Sequence, residues 1–346
     1  MKLRLPSGVF ANDIGIDLGT ANTLLYVRVH GIVLSEPSIV ALERGRGTPL
    51  AVGQSAQAML GRTPGNIEVV RPLRNGVIAD FDVAQTMLRV LIERVQPRAR
   101  IIRPRVVVGV SSGITQVEKR AVREAAMQAG ARAVFLVEEP MAAAIGAGLP
   151  IQEPGGHLVV DIGGGTTEVA VISLSGIVYC QSVRIAGDDM NEAIAQYIRK
   201  HRNLLVGERR IEEIKLSLGN AGLAGTGPRT IEVKGTDVVA RVPKVIRINE
   251  DELREALHDC IGTLVDTVRV CLERTPPEIA ADMVDNGIVL TGGGALLVGL
   301  DETIRKETAL PVTVAENPLQ CVALGLGKLL DDIPLLERVA LGSEGG

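Results

Sequence analysis

Short apolar runs alternate with amphipathic segments along most of this 346-residue chain. The runs at 106–110 and 134–137 predict buried strands, and the apolar spacing over 83–95 predicts a helix. Thr115 followed three residues later by Glu118 is a capping-box pattern, which predicts a helix that ends near Gly130. Further strands are predicted over 14–29, from 157 onward and at 287–291, with helices at 140–148, 188–203, 208–218, 250–273 and the end of 316–330. This alternation predicts sheets covered by helices, the α/β class.

Two glycine-rich stretches share one pattern: an apolar strand, an aspartate, a Gly/Thr turn and a second apolar strand. One contains Asp17, Gly19, Thr20, Ala21 and Asn22, and the other contains Asp161, Gly163, Gly164, Gly165 and Thr166. Consecutive backbone amides in such a turn can hold an anion, and glycine permits the close approach. Asp17 and Asp161, at strand ends, can hold Mg²⁺ through water. The repeat predicts two lobes that hold one polyphosphate, although either copy alone could be an ordinary hairpin turn.

Three further segments fit a nucleotide site, and each has a simpler alternative. A predicted strand is followed by Gly292, Gly293, Gly294, Ala295 and Leu296. The backbone of this segment could lie against the sugar and base of a nucleotide, or the segment could be an ordinary strand-to-helix turn. Glu139 precedes Pro140 at a helix start, where a carboxylate caps the helix or orients or deprotonates an attacking water. A predicted helix carries Glu212, Glu213, Ile214 and Lys215. These residues could form a solvated face with paired charges, or they could contact the ribose and base of a nucleotide.

Composition narrows the classes of function. Apolar residues make up 46% of the chain, aromatic residues only 2%, and the formal net charge is −4, which argues against nucleic-acid binding. The four cysteines show no metal-ligand spacing and are expected to be core thiols in a reducing compartment. No apolar run reaches the roughly 20 residues of a membrane-spanning helix, and the N-terminus lacks a signal-peptide pattern. We therefore expect a cytoplasmic protein.

One motif indicates a different chemistry. Gly109, Ser111 and Gly113 match the G-x-S-x-G nucleophile elbow of hydrolases, between a predicted strand and a predicted helix. Histidines that could complete such a site follow later in the chain, but the elbow leaves the paired aspartate turns unexplained. The chain contains neither a Walker A motif nor a dinucleotide-binding fingerprint.

Residues 98–105 set Ile101 and Ile102 among four arginines. An exposed apolar tip surrounded by basic residues would insert shallowly into a membrane that contains anionic lipid. The alternative is that the two isoleucines begin the buried strand at 106–110, and the pattern alone favours this alternative.

Together the paired turns, the carboxylate at 139 and the third glycine segment resemble the superfamily of actin, heat-shock chaperones and sugar kinases. Longer stretches resemble the MreB family of bacterial actins: IDLGTANT at 16–23, MLGRTPG at 59–65, GVIADF at 76–81, EPMAAAIGAGLP at 139–150, DIGGGTTEVAVIS at 161–173 and LTGGGALL at 290–297. The resemblance covers residues 11 to about 330. It implies an actin-like two-lobed fold, with duplicated ribonuclease-H-like domains and a nucleotide cleft between them. The implied subdomains are IA (11–32, 70–150 and 316–335), IB (33–69), IIA (151–187 and 250–315) and IIB (188–249).

The resemblance further implies an ATPase that uses ATP and Mg²⁺ and polymerises with itself into double filaments. These filaments would lie on the inner face of the cytoplasmic membrane, guide the cell-wall elongation machinery and maintain rod shape. Glu139 would orient the hydrolytic water with help from Thr166. Residues 20–22 and 164–166 would contact phosphate, and residues 212–215 and 293–296 would hold the nucleoside. A soluble small-molecule kinase of the same fold is the alternative.

Three positions qualify the resemblance. Family members carry a membrane-inserting loop where Ile101 and Ile102 stand, which reverses the preference for a strand there. Ser111 replaces a family proline, so the apparent nucleophile elbow lies in a family loop. Pro6 interrupts the N-terminus early, so membrane attachment is expected to rest mainly on the Ile101/Ile102 loop. The tail after Asp332 matches no family pattern.

Overall fold

The structure, a computed structural model, describes residues 13–96, 103–222 and 229–342. The strands are β1 (Ile14–Leu18), β2 (Asn22–Val27), β3 (Gly31–Pro37), β4 (Val40–Glu43), β5 (Pro49–Val52), β6 (Ile67–Val70), β7 (Leu73–Arg74), β8 (Val77–Ile78), β9 (Arg105–Val110), β10 (Ala133–Glu138), β11 (His157–Ile162), β12 (Thr167–Ser173), β13 (Gly176–Val183), β14 (Leu204–Leu205), β15 (Thr230–Asp237), β16 (Pro243–Asn249), β17 (Ile288–Thr291) and β18 (Val312–Val314).

The helices are α1 (Gln54–Gln57), α2 (Phe81–Val95), α3 (Gln116–Gln128), α4 (Glu139–Gly146), α5 (Gly187–Arg202), α6 (Glu208–Leu218), α7 (Glu250–Arg274), α8 (Pro277–Asn286), α9 (Leu300–Thr308), α10 (Cys321–Asp331) and α11 (Ile333–Val339). Short 3-10 helices lie at Gly293–Leu296 and Pro318–Gln320. None of the helices within the described ranges is long and apolar enough to cross a membrane.

The chain divides into two compact units. Among the described residues, unit 1 comprises 13–154, 172–177 and 319–342, and unit 2 comprises 155–171, 178–222 and 229–318. The finer division into four subdomains remains a prediction.

The two five-stranded sheets connect their strands in the same way. The first runs β10-β9-β1-β2-β3 and the second runs β13-β12-β11-β17-β18. In each, three consecutive strands are neighbours, and two later strands add in parallel beside the first of the three. Each Asp/Gly turn therefore joins the first two strands of its own sheet. Smaller sheets complete the units: β5-β4-β6 and the two-stranded β7-β8 in unit 1, and β14-β15-β16 in unit 2.

Local capping signals begin several helices where the sequence predicts them. Thr115 Oγ1 accepts a hydrogen bond from the Glu118 amide at 3.2 Å, while the Glu118 carboxylate accepts one from the Thr115 amide at 2.8 Å. This reciprocal pair is the predicted capping box of α3. Asn249 caps α7 in the same way. The predicted helices are confirmed to within a few residues, and the unassigned tail forms α11, where Leu335 and Leu336 are buried.

Two helices of unit 1 cross at backbone contact distance. A Cβ on Gly146 of α4 would overlap the Cys321 carbonyl of α10, and a Cβ on Gly325 would overlap the Ala142 carbonyl. Because only glycine permits such an approach, the crossing fixes α4 against α10. Since α4 begins at Glu139, the crossing also fixes where that carboxylate lies.

Candidate functional site

The first Asp/Gly turn, between β1 and β2, is held by the residue that follows β3. Ser38 donates from Oγ to the Gly19 carbonyl at 2.6 Å and from its amide to the Ala21 carbonyl at 2.9 Å. Thr20 is buried, and its Oγ1 accepts a hydrogen bond from the Gly76 amide at 3.0 Å. That bond leaves the hydroxyl proton of Thr20 for a phosphate oxygen. Asn22 is exposed at the start of β2.

Two candidate carboxylates of unit 1 lie beside Gly109. Asp17 is the register partner of Gly109 in the parallel pair of β1 and β9. Glu139 follows β10 directly, and its Cγ would lie 3.5 Å from a Cβ placed on Gly109. The predicted metal residue and the predicted water-orienting residue therefore both lie beside Gly109, at the carboxyl ends of β1 and β10, the two strands that flank β9. Gly109 leaves the space between them, because it carries no side chain.

The second Asp/Gly turn, between β11 and β12, lies against the first turn of α5. The Gly163 amide donates to the Thr166 carbonyl at 2.9 Å and closes the hairpin. The Gly187 amide donates to the Gly163 carbonyl at 3.1 Å, and the Asp188 amide donates to the Gly164 carbonyl at 2.8 Å. The bonds to Gly187 and Asp188 fix the carbonyl side of the turn, and the amides of residues 164–166 remain the predicted anion cradle.

Helix α6 carries the predicted nucleoside-contacting residues and lies close to the second Asp/Gly turn. Lys215 Nζ donates to the Gly187 carbonyl at 2.9 Å and lies 2.9 Å from Glu212 Oε2. Asn191 Nδ2 donates to the same Glu212 oxygen at 2.6 Å. Since Gly187 also contacts the turn at 163–166, the structure places Glu212 and Lys215 beside the second Asp/Gly turn.

The third glycine segment packs directly on Asp161. Thr291 Oγ1 donates to Asp161 Oδ1 at 2.8 Å, and both residues are buried. Two features require glycine at position 292: its φ is 77°, and a Cβ there would lie only 2.8 Å from Asp161 Oδ1. Burial raises the pKa of Asp161 to about 6, while the Thr291 hydrogen bond acts to lower it. The carboxylate is therefore ionised at neutral pH.

The donor set fits a magnesium ion held through water. Asp17 and Asp161 supply carboxylate oxygens, the ligand type that Mg²⁺ prefers, without forming a protein cage. Within residues 13–96, 103–222 and 229–342, no group of three or more His, Cys, Asp or Glu side chains could hold a metal directly. Water-mediated binding of Mg²⁺ by Asp17 and Asp161 remains a prediction.

Several predicted site residues lie elsewhere or face differently. Ile214 is fully buried in the core of unit 2, so only its backbone remains for the predicted nucleotide contact. Glu213 pairs with Arg210 at 2.8 Å on the exposed face of α6, and this hydrogen bond lowers the pKa of Glu213. Leu296 is about half exposed. Ile101 and Ile102 lie outside the described residues.

The hydrolase motif does not fold as a nucleophile elbow. Such an elbow exposes its serine on a tight strand-to-helix turn. Ser111 is instead buried, the positive φ falls on Gly113, and α3 begins only at Gln116. Cys260, Cys271 and Cys321 are buried, which agrees with the prediction of core thiols, whereas Cys180 is only partly buried.

Sequence reasoning missed three residues that assemble the site. Gly109 separates Asp17 from Glu139, Gly187 joins Lys215 to the second turn, and Thr291 holds Asp161. Gly187 and Thr291 adjoin predicted elements, but their partners are 28 and 130 residues away in the chain. No local pattern predicts such pairings.

Comparisons with known proteins identify the family of the chain. A family model described as MreB/Mbl protein matches residues 11–338. The cell shape-determining protein MreB of Escherichia coli strain K12 is 54% identical over 333 residues, which covers 95% of this chain and 96% of that protein. The cell shape-determining protein Mbl of Bacillus subtilis strain 168 is 47% identical and covers 95% of this chain and 99% of that protein.

Solved structures support the fold. MreB5 of Spiroplasma citri bound to AMPPNP has a TM-score of 0.89 and 36% identity, covering 95% of this chain and 99% of that chain. MamK in a double helical filament has a TM-score of 0.77 and 22% identity, covering 92% and 99%, and supports the fold alone. The predicted actin-like α/β fold is confirmed, and the small-molecule kinase alternative gains no support. The chain belongs to the MreB/Mbl family.

Proposed function

We propose that this chain binds and hydrolyses ATP and polymerises into actin-like filaments that maintain rod cell shape. The observation that carries the proposal is the convergence of the candidate residues within each unit. In unit 1, Asp17 and Glu139 are neighbours across Gly109. In unit 2, Lys215 and Thr291 bring α6 and the third glycine segment to the second Asp/Gly turn. The names of the curated relatives support a role in cell shape, and the AMPPNP- and ADP-bound MreB5 structures support nucleotide binding.

Each unit carries one proposed phosphate-holding turn. Residues 20–22 contact phosphate with the Thr20 hydroxyl, the Asn22 amide and backbone groups. Residues 164–166 contact it with consecutive amides and the Thr166 hydroxyl. Glu212 and Lys215 hold the ribose and base from one side, and residues 292–296 lie against the nucleoside from the other.

Hydrolysis requires no covalent intermediate. Glu139 accepts a hydrogen bond from the attacking water and holds it in line with the γ-phosphate, and Thr166 assists. Asp17 and Asp161 would hold a magnesium ion through water. When bound, Mg²⁺ supplies positive charge that neutralises the phosphate oxygens. Backbone amides of the two turns stabilise the charge that develops on the transferred group.

The proposed filaments are double, lie in the cytoplasm on the inner face of the membrane and act with the cell-wall elongation machinery. Ile101 and Ile102 are the proposed membrane contact, with neighbouring arginines paired to anionic lipid.

The experiment that tests this function combines phosphate release with electron microscopy. Purified protein with ATP and Mg²⁺ should release phosphate without any added acceptor and should form filaments. Protein without nucleotide serves as the control. ATP consumption that requires an acceptor molecule, with no polymer in the micrographs, would indicate a kinase and would contradict the proposal.

A further inference from the structure

A buried carboxylate outside the proposed site connects two of its elements. Glu250 is the first residue of α7 and is only 4% exposed. Its Oε1 accepts a short hydrogen bond from Asn220 Nδ2. Arg229 contacts both carboxylate oxygens, with Nε 3.1 Å from Oε2 and an Nη 3.3 Å from Oε1. Arg229 and then Asn220 hold the pKa of Glu250 below its usual range, so the carboxylate stays charged at neutral pH.

The first connection leads through Asn220 to the third glycine segment. Asn220 is buried and forms a parallel backbone bridge with Val298, and the Ala221 amide donates to the Val298 carbonyl at 2.7 Å. Thr303 Oγ1 donates to the Ala221 carbonyl at 2.8 Å. Val298 follows the 3-10 helix Gly293–Leu296 by two residues. Glu250 therefore fixes the chain directly behind one nucleoside-holding element.

The second connection leads through Arg229 to α6. Besides its contacts with Glu250, Arg229 places an Nη 3.4 Å from the Ser217 carbonyl. Ser217 lies two residues after Lys215, in the last turn of α6. Glu250 therefore also fixes the end of the second nucleoside-holding element. Glu250 therefore contacts one partner that leads to each element. The two elements also approach each other directly, since a Cβ on Gly219, which follows α6, would lie 2.8 Å from Leu297 Cδ1.

We infer that Glu250 is a positioning residue for the nucleoside: through Asn220 and Arg229 it holds Glu212 and Lys215 at the correct distance from residues 293–296. This inference rests on the proposed nucleotide site. Glu250 contacts neither phosphate turn, so its influence should fall on the nucleoside and not on the triphosphate.

Two probes separate those parts of the ligand: ATP and inorganic triphosphate, each titrated calorimetrically with Mg²⁺. Glu250→Gln keeps the shape and removes the charge. We expect its affinity for ATP to fall about tenfold, the lower end of what a charged hydrogen bond supplies. Its affinity for triphosphate should not change. In phosphate-release kinetics the KM for ATP should rise by the same factor while kcat stays constant.

Matched variants control for a general loss of structure. Glu232→Gln removes the partner of Arg247 at 3.1 Å, an exposed pair in the same unit, and should change neither affinity. Arg229→Gln alters a side chain that is about half exposed, and it tests the same network should Glu250→Gln fail to fold. Like Glu250→Gln, Arg229→Gln should lower the affinity for ATP.

The outcomes are distinct. An unchanged ATP affinity in folded Glu250→Gln, or in Arg229→Gln where that variant must stand in, would overturn the inference. Equal losses for ATP and triphosphate would also overturn it, since they would indicate a general structural role. Wild-type protein that binds triphosphate and ATP with equal affinity would refute a nucleoside contact at residues 212–215 and 293–296. Wild-type protein that binds no ATP would overturn the proposed function and this inference with it.

Discussion

The Thr291→Val substitution tests whether Asp161 is a buried charge held by one hydroxyl. Valine keeps the shape of threonine and removes the 2.8 Å hydrogen bond to Asp161 Oδ1. At pH 8 Asp161 is ionised, because its pKa is raised to about 6. Loss of a hydrogen bond to a buried charged group costs roughly 1.5–3 kcal/mol of unfolding free energy. At pH 5 the folded protein carries the neutral acid, and the loss falls to about 0.5–1.5 kcal/mol, the scale of a neutral hydrogen bond.

The direction of the pH dependence follows from linkage. The folded-state pKa of Asp161 lies above its unfolded value, so folding favours the protonated carboxyl. The wild-type protein therefore loses stability from this group as the pH rises from about 4 through 6. In Thr291→Val the folded-state pKa of Asp161 rises further, because the hydrogen bond that stabilises the charged form is gone, and the loss of stability extends above pH 6.

Urea unfolding followed by circular dichroism at pH 5 and pH 8 measures both values. Thr291→Ser is the control, because it keeps the hydroxyl and loses only a methyl group, so its cost should be the same at both pH values. Equal destabilisation of Thr291→Val at pH 5 and pH 8 would refute a charged Asp161. No destabilisation at either pH would refute the hydrogen bond itself.

Two further predictions concern packing and membrane contact. Gly325→Ala places a Cβ into the Ala142 carbonyl at the α4–α10 crossing and should cost about 1–3 kcal/mol in thermal unfolding; an unchanged melting temperature would show that the helices separate freely. Joint replacement of Ile101 and Ile102 by Ser should abolish co-sedimentation with anionic liposomes and leave ATP hydrolysis intact. Retained lipid binding would place the membrane contact elsewhere.

Local signals made much of the fold predictable. The capping box at Thr115 and the cap at Asn249 mark helix starts through side chains that bond within three residues, which a sequence displays directly. The Asp/Gly turns at 17–22 and 161–166 were likewise visible, since strand, turn and strand are contiguous. The paired strands that the structure shows there confirm this prediction.

The site required information that no local pattern carries. Asp17 lies beside Gly109 because β1 and β9 pair in parallel across about 90 residues of chain. Asp161 meets Thr291 because β11 pairs with β17. The burial of Ile214 was accessible in principle, because Ile211, Ile214 and Leu218 follow helical spacing on one apolar face. The charged residues Glu213 and Lys215 on either side of Ile214 favoured the interpretation of 212–215 as one binding motif over the helical spacing of the apolar residues.

Single-turnover phosphate release by Glu139→Gln tests the central claim most directly. The glutamine keeps the size of the side chain beside Gly109 but cannot accept a proton or orient water as a carboxylate does. We predict that ATP affinity and filament formation persist, while phosphate release in filaments slows by a factor on the order of 10² or more. Phosphate release at the wild-type rate in filaments of Glu139→Gln would contradict the account.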